Sequence, residues 1–236
     1  MKKLGVIGGM GPLATAIFME TVIEMTAASG DNEHISMDII NIPSIPDRTA
    51  YILGKSQESP VDEIIRVREE LEARGADVLA MPCNTAFYFY NDIVKESKIP
   101  LIHAIDETAG CLKEAGIKCV GILATDGTIE TGLFQKVLKE HEIQAVIPDA
   151  ECQSKVMSMI YEDVKAGRRI TETKVRTVEK YLRNAGAECL VLGCTELTVL
   201  KRCGLVKMRC LDTLEVMARK AVMECGVLKE KYKKLI

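Results

Sequence analysis

One ten-residue segment occurs twice in this chain, and each copy carries a cysteine at its ninth position. Gly75-Ala76-Asp77-Val78-Leu79-Ala80-Met81-Pro82-Cys83-Asn84 returns as Gly186-Ala187-Glu188-Cys189-Leu190-Val191-Leu192-Gly193-Cys194-Thr195. Each copy reads as a glycine that stops a helix, a short apolar run with the character of a buried strand, and a polar turn. A duplication of this kind restricts the fold to two versions of one α/β unit. Each version delivers a thiol at a strand tip, as two half-sites facing each other would require.

The similarity extends upstream of the twin segments. In the first half Ser59 can cap a helix, Pro60 suits its first turn and Asp62 follows three residues after the cap. Ile64, Val67 and Leu71 make the apolar stripe, and Gly75 the stop. The second half repeats this from about Thr171, with Val175, Val178 and Leu182 as the stripe and Gly186 as the stop. Leu4-Gly5-Val6-Ile7 likewise resembles Val120-Gly121-Ile122-Leu123, each followed by a turn and a helical pattern. Short Val/Ile/Leu-rich runs at 4–7, 36–40, 78–81, 101–102, 119–123, 144–147, 190–192 and 208–210 alternate with helical stretches. That alternation predicts parallel strands joined by crossover helices. The expected fold is therefore α/β: two pseudo-symmetric lobes, each a mainly parallel sheet flanked by helices. Residues 1–102 with 211–236 are expected to form one lobe and residues 103–210 the other. A final helix is expected over 213–231, and the basic stretch 229–234 reads as its solvated end.

Composition narrows the partners. The 236 residues carry a net charge of −3, with 47% apolar and 28% charged side chains. Such a balance gives no electrostatic reason to expect nucleic acid or an anionic membrane. No apolar run approaches membrane-spanning length, and the first one is broken by Gly8, Gly9, Gly11 and Pro12. Nine cysteines without regular spacing fit free thiols in a reducing cytoplasm rather than a disulfide framework. No Cys-x-x-Cys pair occurs and His34, His103 and His141 are widely spaced, so no metal site is expected.

In an open parallel sheet, ligands bind beyond the carboxyl ends of the strands. Cys83 and Cys194 both occupy such ends, each just before an expected helix start. That position favours an anion and brings thiolate within reach of neutral pH. Polar neighbours follow each thiol: Asn84 and Thr85 in one copy, Thr195 and Glu196 in the other. Two acid/base groups are what is needed to remove a proton from one face of a carbon and return one to the other. A substrate carboxylate calls for a cation. Arg48 is the leading candidate, because guanidinium binds carboxylate bidentately and the segment 41–59 around it shows little regular pattern. Thr125 and Thr128 follow the strand that mirrors 4–7, and either bind substrate or cap a helix. Gly9-Met10-Gly11-Pro12-Leu13-Ala14 formally fits a dinucleotide loop. However, Pro12 removes an amide and no acid follows the second strand to bind a ribose. A turn offering the Met10 and Gly11 amides to a carboxylate is the better reading.

Four segments together, Gly8-Gly9-Met10-Gly11-Pro12, Pro46-Asp47-Arg48-Thr49, Pro82-Cys83-Asn84-Thr85-Ala86 and Gly193-Cys194-Thr195-Glu196-Leu197, resemble the aspartate racemase branch of the aspartate/glutamate racemase family. The resemblance spans essentially the whole chain. It implies racemisation of a dicarboxylic amino acid without pyridoxal phosphate or any other cofactor, by two cysteines in an active site in the cleft between the two lobes. Cys194 would serve the L-enantiomer and Cys83 the D-enantiomer, Lys165 would be a second carboxylate-binding cation, and the protein would be a homodimer. Read from residues alone, Lys165 is an exposed helix lysine. Glu196 stands where glutamate racemases typically carry histidine, which favours aspartate over glutamate. Hydantoin racemases, maleate isomerases and arylmalonate decarboxylases share the architecture and keep other substrates open. A nucleotide-binding oxidoreductase using the loop 9–14, or a non-catalytic amino-acid-binding module, are readings from other classes.

Overall fold

The computed structural model describes residues 2–236, which divide into two compact units: residues 2–103 with Leu214–Leu235, and Ala104–Thr213 with Ile236. In the first unit, strands β1 (Leu4–Gly8), β2 (Met37–Asn41) and β3 (Val78–Ala80) form a parallel sheet in the order β2-β1-β3. Helices α1 (Pro12–Met25), α2 (Arg48–Ile52), α3 (Val61–Ala73) and α4 (Tyr90–Val94) connect and follow them. Leu101 adds a parallel bridge to Leu79 on the free side of β3, with Ile102 N–H donating to Leu79 O at 2.9 Å.

The second unit holds α5 (Ala104–Glu114), β4 (Cys119–Leu123), α6 (Asp126–Glu130), α7 (Leu133–Glu140), β5 (Gln144–Val146), α8 (Ala150–Ser158), α9 (Glu172–Asn184), β6 (Cys189–Leu192), α10 (Thr198–Arg202) and β7 (Cys210–Asp212). Its sheet is parallel in the order β5-β4-β6-β7. Matched through the sequence repeat, β2-β1-β3 plus the Leu101 bridge corresponds strand for strand to β5-β4-β6-β7. The chain is thus two pseudo-symmetric α/β units, each a parallel sheet flanked by helices. Helix α11 (Thr213–Cys225) follows β7, and most of it groups with the first unit.

The repeat has a packing cause. A Cβ built on Gly5 would stand 2.8 Å from Leu79 Cδ2 and 3.3 Å from Leu71 Cβ. On Gly121 it would stand 3.0 Å from Leu190 Cδ2 and 3.1 Å from Leu182 Cβ. Both glycines therefore let a helix leucine and a neighbouring-strand leucine close directly onto the central strand, at equivalent positions of the two units. Ile64, Val67 and Leu71 are fully buried on α3, as are Val175, Val178 and Leu182 on α9 to within 2%. Close packing of that kind makes the cores intolerant of added volume. Gly75 (φ +81) and Gly186 (φ +97) end these helices in the left-handed region, where only glycine is unstrained.

Several local expectations are corrected. Pro60, not Ser59, occupies the cap position of α3, although Ser59 Oγ still accepts from Val61 N–H at 3.2 Å. The last strand lies at Cys210–Asp212, two residues later than 208–210, because its register places Cys210 opposite Leu190. Helix α11 ends at Cys225 rather than near 231. Gly226 packs against Ile35, and the chain then forms an antiparallel bridge from Leu228 to Thr26. The basic stretch 229–234 is consequently no helix end, but contains a short 3-10 turn, Glu230–Tyr232. Among the described residues, no helix is long and apolar enough to cross a membrane.

Candidate active site

All three strands of the first sheet point their carboxyl ends the same way, so their tips form one edge. On that edge the tip of β1 carries Met10 and Gly11, the segment after β2 leads to Arg48, and the tip of β3 carries Cys83, Asn84 and Thr85. Met10, Arg48, Cys83, Asn84 and Thr85 are all buried, at 2–7% exposure.

The β1 tip is tightly built. Gly9 has φ +98, and a Cβ there would stand 2.4 Å from the backbone of Ile42, so only glycine lets the tips of β1 and β2 approach. Its amide donates to Thr15 Oγ1 at 3.0 Å, and that hydroxyl donates to Gly11 O at 3.0 Å. Thr15, on α1, thus ties the Gly9 amide to the Gly11 carbonyl and braces the turn that carries Met10 and Gly11.

Arg48 does not lie in an irregular loop. It opens α2, a five-residue helix whose cap, Asp47, accepts from Ala50 N–H at 2.8 Å. Its Nη1 donates to Ile45 O at 3.0 Å and Pro46 O at 2.8 Å, which anchors one edge of the guanidinium to the loop. Helix α2 is too short for a periodic pattern to reveal it. The Asp47 cap was its one readable signal.

In the second unit, β4 and β6 are parallel neighbours, so Thr125 and Thr128, after β4, lie on the same sheet edge as Cys194, Thr195 and Glu196, after β6. Thr125 caps α6: its side chain accepts from Thr128 N–H, and the two hydroxyls lie 3.0 Å apart. Both threonines are buried, as are Thr195 and Glu196. Glu196 Oε2 accepts from Cys194 Sγ at 3.2 Å and from Thr195 Oγ1 at 3.4 Å. Beneath this tip, Thr198 Oγ1 donates to Asp212 Oδ1 at 3.1 Å and Thr213 Oγ1 donates to Leu192 O at 2.8 Å. These buried bonds tie β6, α10 and β7 together and were not foreseen from sequence.

Lys165 is exposed, as its sequence context suggests, yet it does not sit on an ordinary helix. It follows a π-helical turn, Met159–Val164, and its Nζ lies 4.4 Å from the Tyr161 ring centroid. The four-residue spacing of Tyr161 and Lys165 was the available sign.

The expected helix starts after the cysteines are 3-10 turns, Asn84–Phe89 and Thr195–Leu197, with Cys83 and Cys194 at their cap positions. For Cys194 the electrostatics run opposite to the expectation of a ready thiolate. Burial pushes its thiol well above the ordinary value, and the Glu196 carboxylate adds to the rise. Lys165 and a backbone hydrogen bond from Glu196 oppose it. Desolvation outweighs a short turn's dipole because it removes the water that would stabilise the thiolate. All nine cysteines are free thiols, and the described residues contain no cluster of three or more His, Cys, Asp or Glu able to hold a metal ion.

Residues 7–221 match the family model for Asp/Glu/Hydantoin racemase. The chain belongs to that family. It is 29% identical over 84% of its length to the broad specificity amino-acid racemase RacX of Bacillus subtilis, covering 86% of that protein. Among solved structures, aspartate racemase of Picrophilus torridus is 34% identical with a TM-score of 0.87, over 99% of this chain and 98% of that one. An aspartate racemase homologue from Pyrococcus horikoshii is 27% identical with a TM-score of 0.77, covering 95% of this chain and 99% of its own. Within the family, these full-length structural matches lie in the aspartate racemase branch.

Proposed function

We propose that this racemase-family protein interconverts L- and D-aspartate without a cofactor, with Cys83 and Cys194 as the two acid/base groups. The observation that carries this reading is the repeat itself: each unit ends an equivalent strand, β3 or β6, in a buried cysteine. Racemisation needs one group to take the α-proton while the other supplies a proton to the opposite face, and the roles exchange with direction. Cys194 acts on the L-enantiomer and Cys83 on the D-enantiomer. Arg48 binds a carboxylate through the guanidinium edge not anchored to Ile45 and Pro46, and Lys165 supplies the second cation. Asn84, Thr85, Thr125, Thr128 and Thr195 provide short hydrogen-bonding groups, with backbone contributions from Met10 and Gly11. The likeness to a broad specificity racemase supports a second reading, in which the same two thiols act on a wider set of amino acids.

Incubation in heavy water tests both. Each enantiomer of aspartate should acquire deuterium at the α-carbon without added pyridoxal phosphate. Glutamate and neutral amino acids offered in parallel separate the narrow reading from the broad one. Absence of exchange with both aspartate enantiomers would sink the aspartate assignment. Full racemisation by both Cys83→Ala and Cys194→Ala would sink the two-base mechanism.

A further inference from the structure

The contact between Cys194 and Glu196 has a consequence beyond substrate binding. Both side chains are nearly inaccessible, at 7% and 4% exposure, and Sγ lies 3.2 Å from Glu196 Oε2. An ionised carboxylate accepts and cannot donate, so with Glu196 ionised the shared proton resides on sulfur, the form that burial of the thiol also favours. Thr195 Oγ1 donates to the same oxygen at 3.4 Å and keeps it directed at the thiol. We propose that Glu196 is a positioning residue that holds the Cys194 proton in place, so that the resting enzyme has Cys194 loaded as the acid. The inference takes its meaning from the racemase reading, while the proton's place rests on the Sγ–Oε2 contact and the burial of the thiol.

Cys83 has no such partner built into its motif. Asn84 and Thr85 follow it, and neither is an acid. The two sequence repeats are thus chemically unequal, and one acid separates them. The charged groups acting on Cys194 are Glu196, which favours the thiol, and Lys165, which favours the thiolate. Asp163, on the π-helical turn packed against the Thr195–Leu197 turn, is engaged by Lys174 at 2.6 Å. Cys152 shares the apolar cluster around Cys194 and is uncharged as a thiol. A cycle starting from the loaded state runs from D to L. Cys83 thiolate takes the α-proton, the C–H bond breaks as S–H forms, and Cys194 gives its proton to the opposite face of the carbanion. Cys194 is then thiolate and Cys83 thiol. Return to the loaded state needs one proton taken from solvent by Cys194 and one lost to solvent by Cys83.

Thiol alkylation without substrate tests the assignment separately from racemisation. The pH dependence of iodoacetamide labelling at Cys194 is followed by peptide mass spectrometry in the unsubstituted chain and in Glu196→Gln. Glutamine keeps the size and an acceptor oxygen but removes the charge. Its midpoint should fall, giving labelling at pH 7.5 that is roughly tenfold faster. An unchanged or raised midpoint at Cys194 overturns the proposal. Should Glu196→Gln fail to fold, the unsubstituted chain still decides. A Cys194 midpoint at or below the ordinary thiol value near 8.5 refutes a proton held on sulfur, and a higher one supports it. If labelling behaves as expected but no amino acid exchanges its α-proton, the racemase reading fails and the dyad stands.

Discussion

Arg48 is asked to do two things at once, and substitution can separate them. Its Nη1 is committed to Ile45 O and Pro46 O, at 3.0 and 2.8 Å, in a position only 7% exposed. Replacing it with methionine removes the donor from two carbonyls on the segment that leads into α2. At about 1–2 kcal/mol for each carbonyl left without its donor, Arg48→Met should lose about 2–4 kcal/mol of stability. For a chain of this size each kcal/mol moves Tm by roughly 2–4 °C, so Tm should fall by about 4–16 °C. Arg48→Lys keeps one cationic nitrogen able to reach those carbonyls and should recover at least half of that loss. It cannot also present a planar pair of donors to a carboxylate, because an ammonium is a single point charge. Charge-assisted bidentate bonds are worth about 1.5–3 kcal/mol, so KM for aspartate should rise by about 10- to 150-fold in Arg48→Lys. Thermal unfolding and racemisation kinetics on the same preparations read both effects. A lysine variant that recovers Tm and keeps KM within twofold would show that Arg48 only staples the loop, and the substrate contact would have to be withdrawn.

Other substitutions probe the scaffold and its thiols. Gly9→Ala puts a Cβ 2.4 Å from the Ile42 backbone at φ +98, so it should cost more than about 3 kcal/mol; a Tm equal to that of the unsubstituted chain would refute the close approach of the β1 and β2 tips. Burial pushes the Cys189 thiol up to about 11 from 9.0, so the native state holds its proton more tightly than the unfolded chain does. The resulting stability is full below about pH 9 and disappears as pH rises to about 11, amounting to about 2–3 kcal/mol; urea unfolding across that window should show a shallower alkaline loss in Cys189→Ala. Lys165→Met removes an exposed cation–π contact worth about 0.5–1 kcal/mol, so Tm should hardly move while KM for aspartate rises about tenfold; an unchanged KM would exclude Lys165 from carboxylate binding.

The parts of the fold that were legible in sequence share one property: they are enforced by core packing that recurs in both units. Gly5 and Gly121, Leu71 and Leu182, and Leu79 and Leu190 occupy equivalent places because the same helix closes onto the same strand. A pattern written twice is easier to read than one written once. What was misread is local and short. Helix α2 spans five residues, less than two turns, so Arg48-Thr49-Ala50-Tyr51-Ile52 carries no periodic stripe. The π-helical turn under Lys165 differs from an α-helix only in hydrogen-bond register, which side-chain identity does not encode. The end of α11 depends on Gly226 meeting Ile35, a residue nearly two hundred positions away in the chain.

The same distinction explains the misjudged thiol. A cysteine at a strand tip before a helical turn is a motif, and motifs are read from neighbours in sequence. Whether that thiol is a ready base depends on burial, and burial depends on residues brought in from elsewhere. Cys194 belongs to one buried apolar cluster with Leu123, Val156, Ile160 and Val175, drawn from β4, α8, the π-helical turn and α9. Burial in that cluster removes water from the sulfur, and Glu196 adds to the effect from two residues away. The acid was visible in the sequence as a polar neighbour of the thiol. Its carboxylate oxygen points at the sulfur, and that makes it part of the proton inventory. Two half-sites that look interchangeable in the repeat therefore differ where the chemistry begins, and the difference is one carboxylate.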